Sequence, residues 1–134
     1  MTTAIDSNVL IDLIGPKTSF TAAAIAALDA ARLDGALIVC PVLVAEISAH
    51  FPTAGALASA LGHMQIVIRE FSVAALHLAG SAFFRYRQRS AKPKPRMLAD
   101  FLVRAHAHQE ADVLLTRDRG YYRTYFPSLK IVDA

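Results

Sequence analysis

The chain is 134 residues long, which is the size of a single domain with its own hydrophobic core. Hydrophobic residues make up 54% and charged residues 19%, which excludes disorder for most of the chain. The net charge of +3 is unevenly spread: residues 85–96 hold six of the 14 cations and no acid, which leaves eight cations against 11 acids elsewhere. The single cysteine, Cys40, excludes an intramolecular disulfide and a cysteine-based zinc site.

Apolar runs in the chain are too short for a membrane span. The longest, residues 36–45, contains a proline and is about half of the roughly 20 residues that a helix needs to cross a bilayer. The N-terminal segment has no leading cation and contains Asp6 and Asp12, so it is a poor signal peptide. We therefore expect a cytoplasmic protein with no membrane partner.

Hydrophobic periodicity predicts strands and helices that alternate along the chain. In chain order, the elements are a strand at 3–6, helices at Ser7–Ile14 and 18–33, a strand at 36–40, helices at 41–50 and 52–62, a strand at 65–69, a helix at 73–87, a basic loop at 88–96, a helix at 97–110, a strand at 112–116, a helical turn at 121–125 and a strand at 130–132. Such alternation predicts one α/β domain over residues 1–134, with three layers and a mostly parallel central sheet.

Four acids follow predicted strands or begin predicted helices. Asp6 and Asp118 come just after strands, and Glu46 and Asp100 lie in early helical turns. Taken singly, each acid also has a structural explanation: Asp6 as a helix N-cap, Glu46 as a solvent-facing position, Asp100 as a partner of the helix dipole, and Asp118 as a turn residue. In a parallel sheet, however, all four could converge on one rim, where clustered carboxylates require bound cations. Hard divalent ions such as Mg²⁺ suit carboxylate oxygens.

Taken together, four segments resemble a known family: IDSNVLIDL at the start, PVLVAEI, RMLADFLVRAHA, and ADVLLTRDRGYYRTYF near the end. In order and spacing they resemble the PIN-domain ribonucleases, and most closely the VapC toxins of toxin–antitoxin pairs. The resemblance covers essentially the whole chain. It implies a PIN-like α/β/α fold and an endoribonuclease that depends on Mg²⁺ or Mn²⁺, forms a homodimer and is held inactive by an antitoxin.

The resemblance also implies site residues. The acidic quartet of the family falls on Asp6, Glu46, Asp100 and Asp118, as catalytic residues and metal ligands, and the supporting positions fall on Asn8 and Thr116. Chemistry argued from the residues agrees, because a bound divalent metal can activate water for phosphodiester hydrolysis without a covalent nucleophile. Cys40 is a poor nucleophile, since an apolar strand disfavours its thiolate.

The basic strip, residues 85–96, lies just ahead of Asp100. Charge runs are usually solvated surface, but cations near an acidic site could attract phosphate. The hypothesis is that the strip guides RNA to the metal site and that Tyr86, Tyr121 or Tyr122 stacks on an unpaired base, while core packing is expected for at least one of these tyrosines. Its cations are Arg85, Arg87, Arg89, Lys92, Lys94 and Arg96.

Two further expectations concern the helix at 97–110. At about 100° per residue, Asp100 and Arg104 fall nearly opposite its apolar face. His106 and His108 point about 200° apart, so they cannot chelate one ion together, and we interpret them as surface or packing residues.

Two other functions remain open. The chain could be a non-catalytic RNA- or protein-binding module with the same fold, in which the acids serve only as caps. It could also be an aspartyl-phosphate phosphatase, but such enzymes need a second acid where this chain has Asn8, and a lysine near the last acid where it has Arg117 and Arg119.

Overall fold

The computed structural model describes residues 1–89, 97–118 and 121–134, apart from the side chains at positions 121 and 122. Its elements in chain order are β1 (Thr3–Ile5), α1 (Ser7–Ile14), α2 (Thr21–Asp34), β2 (Leu37–Val39), α3 (Pro41–Ile47), α4 (Ala54–His63), β3 (Ile66–Ile68), α5 (Val73–Arg89), α6 (Leu98–Glu110), β4 (Val113–Thr116) and β5 (Ile131–Asp133), with 3₁₀ turns at Ser48–His50 and Tyr121–Thr124.

The five strands form one sheet in the order β3-β2-β1-β4-β5, and every neighbouring pair is parallel. The predicted three-layer α/β/α architecture is confirmed. Because β1 and β4 lie side by side with Ile5 opposite Leu115, the residues that follow these two strands emerge together at one rim.

The sheet is buried on both faces, as its continuous apolar strands predict. Ile38 packs with Ala4 and Leu114 in one cluster, whereas Ile5 and Leu115 belong to a second cluster. Successive strand residues point to opposite faces, so the two clusters lie on the two sides of the sheet and hold its rim rigidly between the helical layers.

Several element boundaries differ from the prediction by one to three residues, and two of them have a clear physical cause. The helix α2 begins at Thr21 rather than residue 18, because the Thr18 and Thr21 hydroxyls accept hydrogen bonds from the backbone N–H of Phe20 and Thr18 and stabilise a turn before the helix. At the other boundary, α5 continues to Arg89, so the first two residues of the predicted basic loop are helical. Residues 90–96 of that loop lie outside the described residues.

The periodicity of α6 predicts a single buried face, but the helix is buried on several sides. Five consecutive residues, Val103–Ala107, are buried. The cause is its place in the fold, since α6 contacts α5 on one side and α3, β1 and β4 on others. The prediction that Arg104 lies on an outward face was therefore wrong: the residue is 3% exposed and faces the rim of the sheet.

In the part of the chain that the structure describes, no helix combines the length and the apolar character that a membrane span requires.

Candidate active site at the carboxyl rim of the sheet

Asp6 joins β1 to α1 and has two roles. One carboxylate oxygen, Oδ1, accepts the Ser7 backbone N–H at 2.7 Å and caps the helix. The other, Oδ2, accepts the Thr116 hydroxyl at 2.8 Å from the end of β4. The Asp6 side chain is only 5% exposed, so the helix cap and the neighbouring strand together fix a nearly buried carboxylate at the rim.

Thr116 is the hydrogen-bonding centre of the rim. Its fully buried hydroxyl donates to Asp6 and accepts from Asn8 Nδ2 at 3.1 Å and from the Asp118 backbone N–H at 3.0 Å. One donor and two acceptor positions are all that a hydroxyl has, so Thr116 is saturated. Of the two residues expected to support the site, Thr116 contacts Asp6 directly and Asn8 is joined to it through Thr116, while their part in catalysis stays a prediction.

Arg117 fixes the segment that carries Asp118. Its backbone N–H donates to Asn8 Oδ1 at 3.3 Å, and its guanidinium donates to both Asp12 oxygens, at 2.7 and 3.2 Å. The guanidinium carbon also lies 4.1 Å from the centre of the Phe20 ring, in a cation–π contact. The chain after β4 is thereby attached to α1.

Arg104 lies between the first and last acids of the predicted quartet. Its Nη2 is 3.0 Å from Asp6 Oδ2 and 3.4 Å from Asp118 Oδ2. Its Nη1 donates to the Asp100 carbonyl oxygen, 3.4 Å away. Sequence reasoning missed this arginine because it assigned the residue to a solvated helix face.

The other two acids approach the rim from helices. Asp100 is half-buried in the first turn of α6, where its Oδ2 accepts the Met97 backbone N–H at 3.1 Å. Glu46 is exposed on α3, but desolvation by neighbouring atoms raises the pKa of its carboxyl, and the negative charges of Asp100 and Asp6 raise it further against an opposing effect of Arg104. The negative charges of Asp100 and Asp6 therefore act on the Glu46 carboxyl.

The chemistry of the four acids fits a hard divalent cation, since carboxylate oxygens are its preferred ligands. The arrangement of these side chains, however, is less suited to binding a divalent cation. Among the described residues, no group of three or more acids, histidines and cysteines lies close enough to hold a metal ion. Instead, Arg104 supplies the positive charge between Asp6 and Asp118. The metal-ligand role of the quartet therefore stays a prediction.

Only part of the basic strip can be located. Arg85, Arg87 and Arg89 are exposed on the last turns of α5, and the guanidinium carbon of Arg87 lies 5.8 Å from the Phe83 ring centre. The remaining three cations, Lys92, Lys94 and Arg96, lie outside the described residues.

Base stacking by Tyr86 is excluded by its burial. The side chain is 2% exposed and packs against Phe83, Phe101 and Tyr125. It is a core residue between α5 and α6, so the stacking hypothesis was wrong for this position. The side chains of Tyr121 and Tyr122 lie outside the described residues.

The cysteine and the histidine pair offer no second catalytic centre. Cys40 is buried, and its burial raises the pKa of the thiol to about 11, which makes it a poor nucleophile. His106 packs edge-on against Phe71 and its Nε2 donates to the Arg69 carbonyl oxygen at 2.7 Å, while burial lowers its pKa. His108 Nε2 lies 2.8 Å from the Ser128 hydroxyl. The two histidines serve separate packing contacts, as expected.

Comparisons with known proteins agree with this architecture. The family model described as "PIN domain" matches residues 3–127. Among solved structures, the chain is similar to VapBC2 from Rickettsia felis bound to a promoter DNA fragment (TM-score 0.72, 16% identity, 99% of this chain and 98% of that chain). It is also similar to VapBC-1 from nontypeable Haemophilus influenzae (0.70, 15%, 99% and 98%) and to a toxin–antitoxin complex from Klebsiella pneumoniae (0.67, 17%, 97% and 95%). None of the curated proteins matches the chain.

Proposed function

This chain belongs to the PIN domain family, and we propose that it is a metal-dependent endoribonuclease that hydrolyses RNA phosphodiester bonds with an activated water. The observation that supports the proposal is the meeting of two acids at the carboxyl rim, where Asp6 and Asp118 both contact Arg104. The negative charges of Asp100 and Asp6 also raise the pKa of Glu46. Carboxylates gathered in this way are the ligand type of Mg²⁺ or Mn²⁺.

The residues that would hold the cation are Asp6, Glu46, Asp100 and Asp118. A bound divalent ion lowers the pKa of water and compensates negative charge that develops on the phosphate. The chain itself supplies the positioning. The Thr116 hydroxyl orients the Asp6 carboxylate across the two neighbouring strand ends, and the hydrogen bond from the Asp118 backbone N–H to that same hydroxyl fixes the turn that carries Asp118.

The substrate proposal rests on the exposed cations of α5. An acidic site repels RNA, so phosphate must be attracted by neighbouring positive charge. Arg85, Arg87 and Arg89 project from the end of α5 in solvent, and cation–phosphate contacts give affinity that depends on salt but not on sequence. Replacing Arg87 and Arg89 by glutamine should weaken RNA binding and flatten its dependence on salt; an unchanged salt titration would contradict the substrate proposal.

The proposed protein partner follows from the similarity of this chain to solved structures with the same fold. One solved structure that shares the fold over nearly the full chain is a toxin–antitoxin complex, and two others are VapBC structures. We propose that this chain is the toxin of such a pair, that a cognate antitoxin holds it inactive, and that it acts in the cytoplasm as a homodimer.

One observation favours a second candidate, a non-catalytic binding module. Arg104 already balances part of the charge of Asp6 and Asp118, so these acids do not require a metal to coexist in the fold. In a binding module the rim would be structural, and the basic end of α5 would bind RNA without cleaving it.

RNA cleavage in the presence of Mn²⁺ separates the two candidates. Wild-type protein, incubated with total RNA and Mn²⁺, should cut it, and EDTA should stop the reaction. Asp100→Asn and Glu46→Gln should each abolish cleavage while the circular dichroism spectrum stays unchanged, because neither side chain is buried. Asp29→Asn is the matched control: Asp29 is an exposed acid on α2 that pairs with Arg32, and its loss should leave cleavage intact. Cleavage that persists in EDTA, or in Asp100→Asn, would refute the metal-nuclease proposal.

A further inference from the structure

Arg104 has a feature that the proposed nuclease does not use. A single nitrogen, Nη2, contacts one oxygen of Asp6 and one of Asp118, and the arginine side chain is only 4% exposed. The two acids come from the ends of neighbouring strands, whereas the arginine reaches them from α6. A cation supplied by the chain thus lies between two of the four expected metal ligands.

We propose that Arg104 is a built-in counter-cation that competes with the divalent metal for Asp6 and Asp118. Metal binding then requires the guanidinium to leave these two carboxylates. The inference rests on the proposed function, because it takes the four acids as the metal ligands. It adds an internal competitor that sets how tightly this chain holds its metal.

Without a cation between them, the two acids would destabilise the fold. Asp6 is 5% exposed, and a buried carboxylate without a partner strongly destabilises a fold. Arg104 supplies the partner while no metal is bound. The chain can therefore fold with its rim already assembled, before it meets a divalent ion.

The arginine and a divalent ion would compete for the same carboxylate oxygens. Asp6 Oδ2 already accepts from both Arg104 and Thr116, and Asp118 Oδ2 faces the same guanidinium nitrogen. A divalent ion on these oxygens would lie within several ångströms of a positive charge in a poorly hydrated site, where repulsion is strong. Both cations cannot hold the same two oxygens.

The exposed end of the bridge provides a route for the exchange of the two cations. The ends of the bridge differ in exposure: the Asp118 side chain is 36% exposed, against 5% for Asp6. A hydrated ion can therefore approach from the Asp118 end. The longer contact also lies there, at 3.4 Å against 3.0 Å, so this half of the bridge should open first.

The test compares Mn²⁺ binding by calorimetry in wild-type protein and Arg104→Met, which removes the charge but keeps a side chain of similar length. We expect the Kd for Mn²⁺ to fall at least tenfold in Arg104→Met. The metal-free variant should melt at a lower temperature than wild type, and saturating Mn²⁺ should raise its Tm by more than it raises that of wild type. Arg32→Gln is the control for the loss of one positive charge, because Arg32 pairs with Asp29 on α2 instead; the Kd of this variant for Mn²⁺ should change by less than threefold.

The outcomes separate this inference from the proposed function. Equal Mn²⁺ affinity in wild type and Arg104→Met, or an equal gain in Arg32→Gln, would overturn the role of Arg104 and leave the metal site standing. Absence of Mn²⁺ binding in both proteins, together with absence of RNA cleavage, would overturn the proposed function as well.

A second measurement does not depend on how well the methionine variant folds. In wild-type protein labelled with ¹⁵N, the arginine Nε–H resonance of Arg104, assigned with Arg104→Lys, should shift in step with Mg²⁺ saturation measured by calorimetry. A resonance that stays unchanged at saturating Mg²⁺ would overturn the inference.

Discussion

Substitution of Thr116 by valine isolates the hydrogen-bonding centre of the rim. Valine has nearly the shape of threonine but no hydroxyl, so packing is preserved and three hydrogen bonds are lost together. These are the bond donated to Asp6 at 2.8 Å and the bonds accepted from Asn8 and the Asp118 backbone, at 3.1 and 3.0 Å.

The expected magnitude follows from the partners. A hydrogen bond to a charged group contributes about 1.5–3 kcal/mol and a neutral one about 0.5–1.5 kcal/mol, with non-additive sums for groups in one network. Asn8 and Asp118 are half-buried, so water can recover part of their loss. We therefore expect Thr116→Val to lower the free energy of unfolding by about 2–4 kcal/mol.

Equilibrium unfolding in urea, with EDTA present, measures this loss. For a chain of this size a loss of that order shifts the urea midpoint by more than about 1 M. Thr3→Val is the matched control, because Thr3 is 2% exposed on the adjacent strand β1 and its hydroxyl forms no hydrogen bond with another described residue. Thr116→Ser, which keeps the hydroxyl, should recover most of the loss. A midpoint for Thr116→Val equal to that of Thr3→Val would refute the reasoning.

Three further predictions concern single side chains. The raised pKa of Glu46 means that the folded state binds more protons than the unfolded state just above pH 4.5, so stability falls as pH rises through the folded pKa. Above that interval Glu46→Gln should be more stable than wild type, by less than about 1 kcal/mol because the residue is exposed. Thermal melts with EDTA at several pH values measure this gain, and a gain that is equal at all of them would contradict the prediction. Arg117→Ala should lower the free energy of unfolding in urea by about 1–3 kcal/mol, because Asp12 loses a partner that binds both of its oxygens and Phe20 loses a stacked cation. A double-mutant cycle with Asp12→Asn should give a coupling energy above about 0.5 kcal/mol, and a coupling energy near zero would count against the pair. The buried Cys40 thiol, whose pKa is about 11, should resist aromatic disulfide reagents at pH 8 until urea unfolds the protein, and fast reaction of the native protein would disprove that burial.

The sheet and most helices could be predicted because their signals are local. Residues 36–40 form an unbroken apolar run, as in a strand buried on both faces, and all three residues of β2 are buried. The bounds of α1 were predicted correctly, since Asp6 caps its start and Gly15-Pro16 stops it. The end of α5 was missed because the run of arginines was interpreted as a loop, although cations stabilise the last turn of a helix.

Only some of the residues of the site could be predicted from the sequence. Asp6 and Asp118 could be placed because they follow strands, and strand ends meet at a rim. Arg104 could not be placed, because a helical wheel assumes one solvated face and α6 is covered on several sides. Tyr86 carried a signal that was overlooked: with Ala75, Ala79 and Ala82 it repeats at helical spacing along the buried face of α5.

The identity of the acidic rim as a metal site is tested most directly by a crystal structure of the protein grown with Mn²⁺, with anomalous diffraction recorded to locate the ion. We expect a manganese peak bound by oxygens of Asp6 and Asp118, with the Arg104 guanidinium moved away from both. Absence of a peak at the rim at a Mn²⁺ concentration that saturates binding or cleavage would contradict the proposed site. A peak there with Arg104 still in contact with both acids would contradict the competition between the two cations.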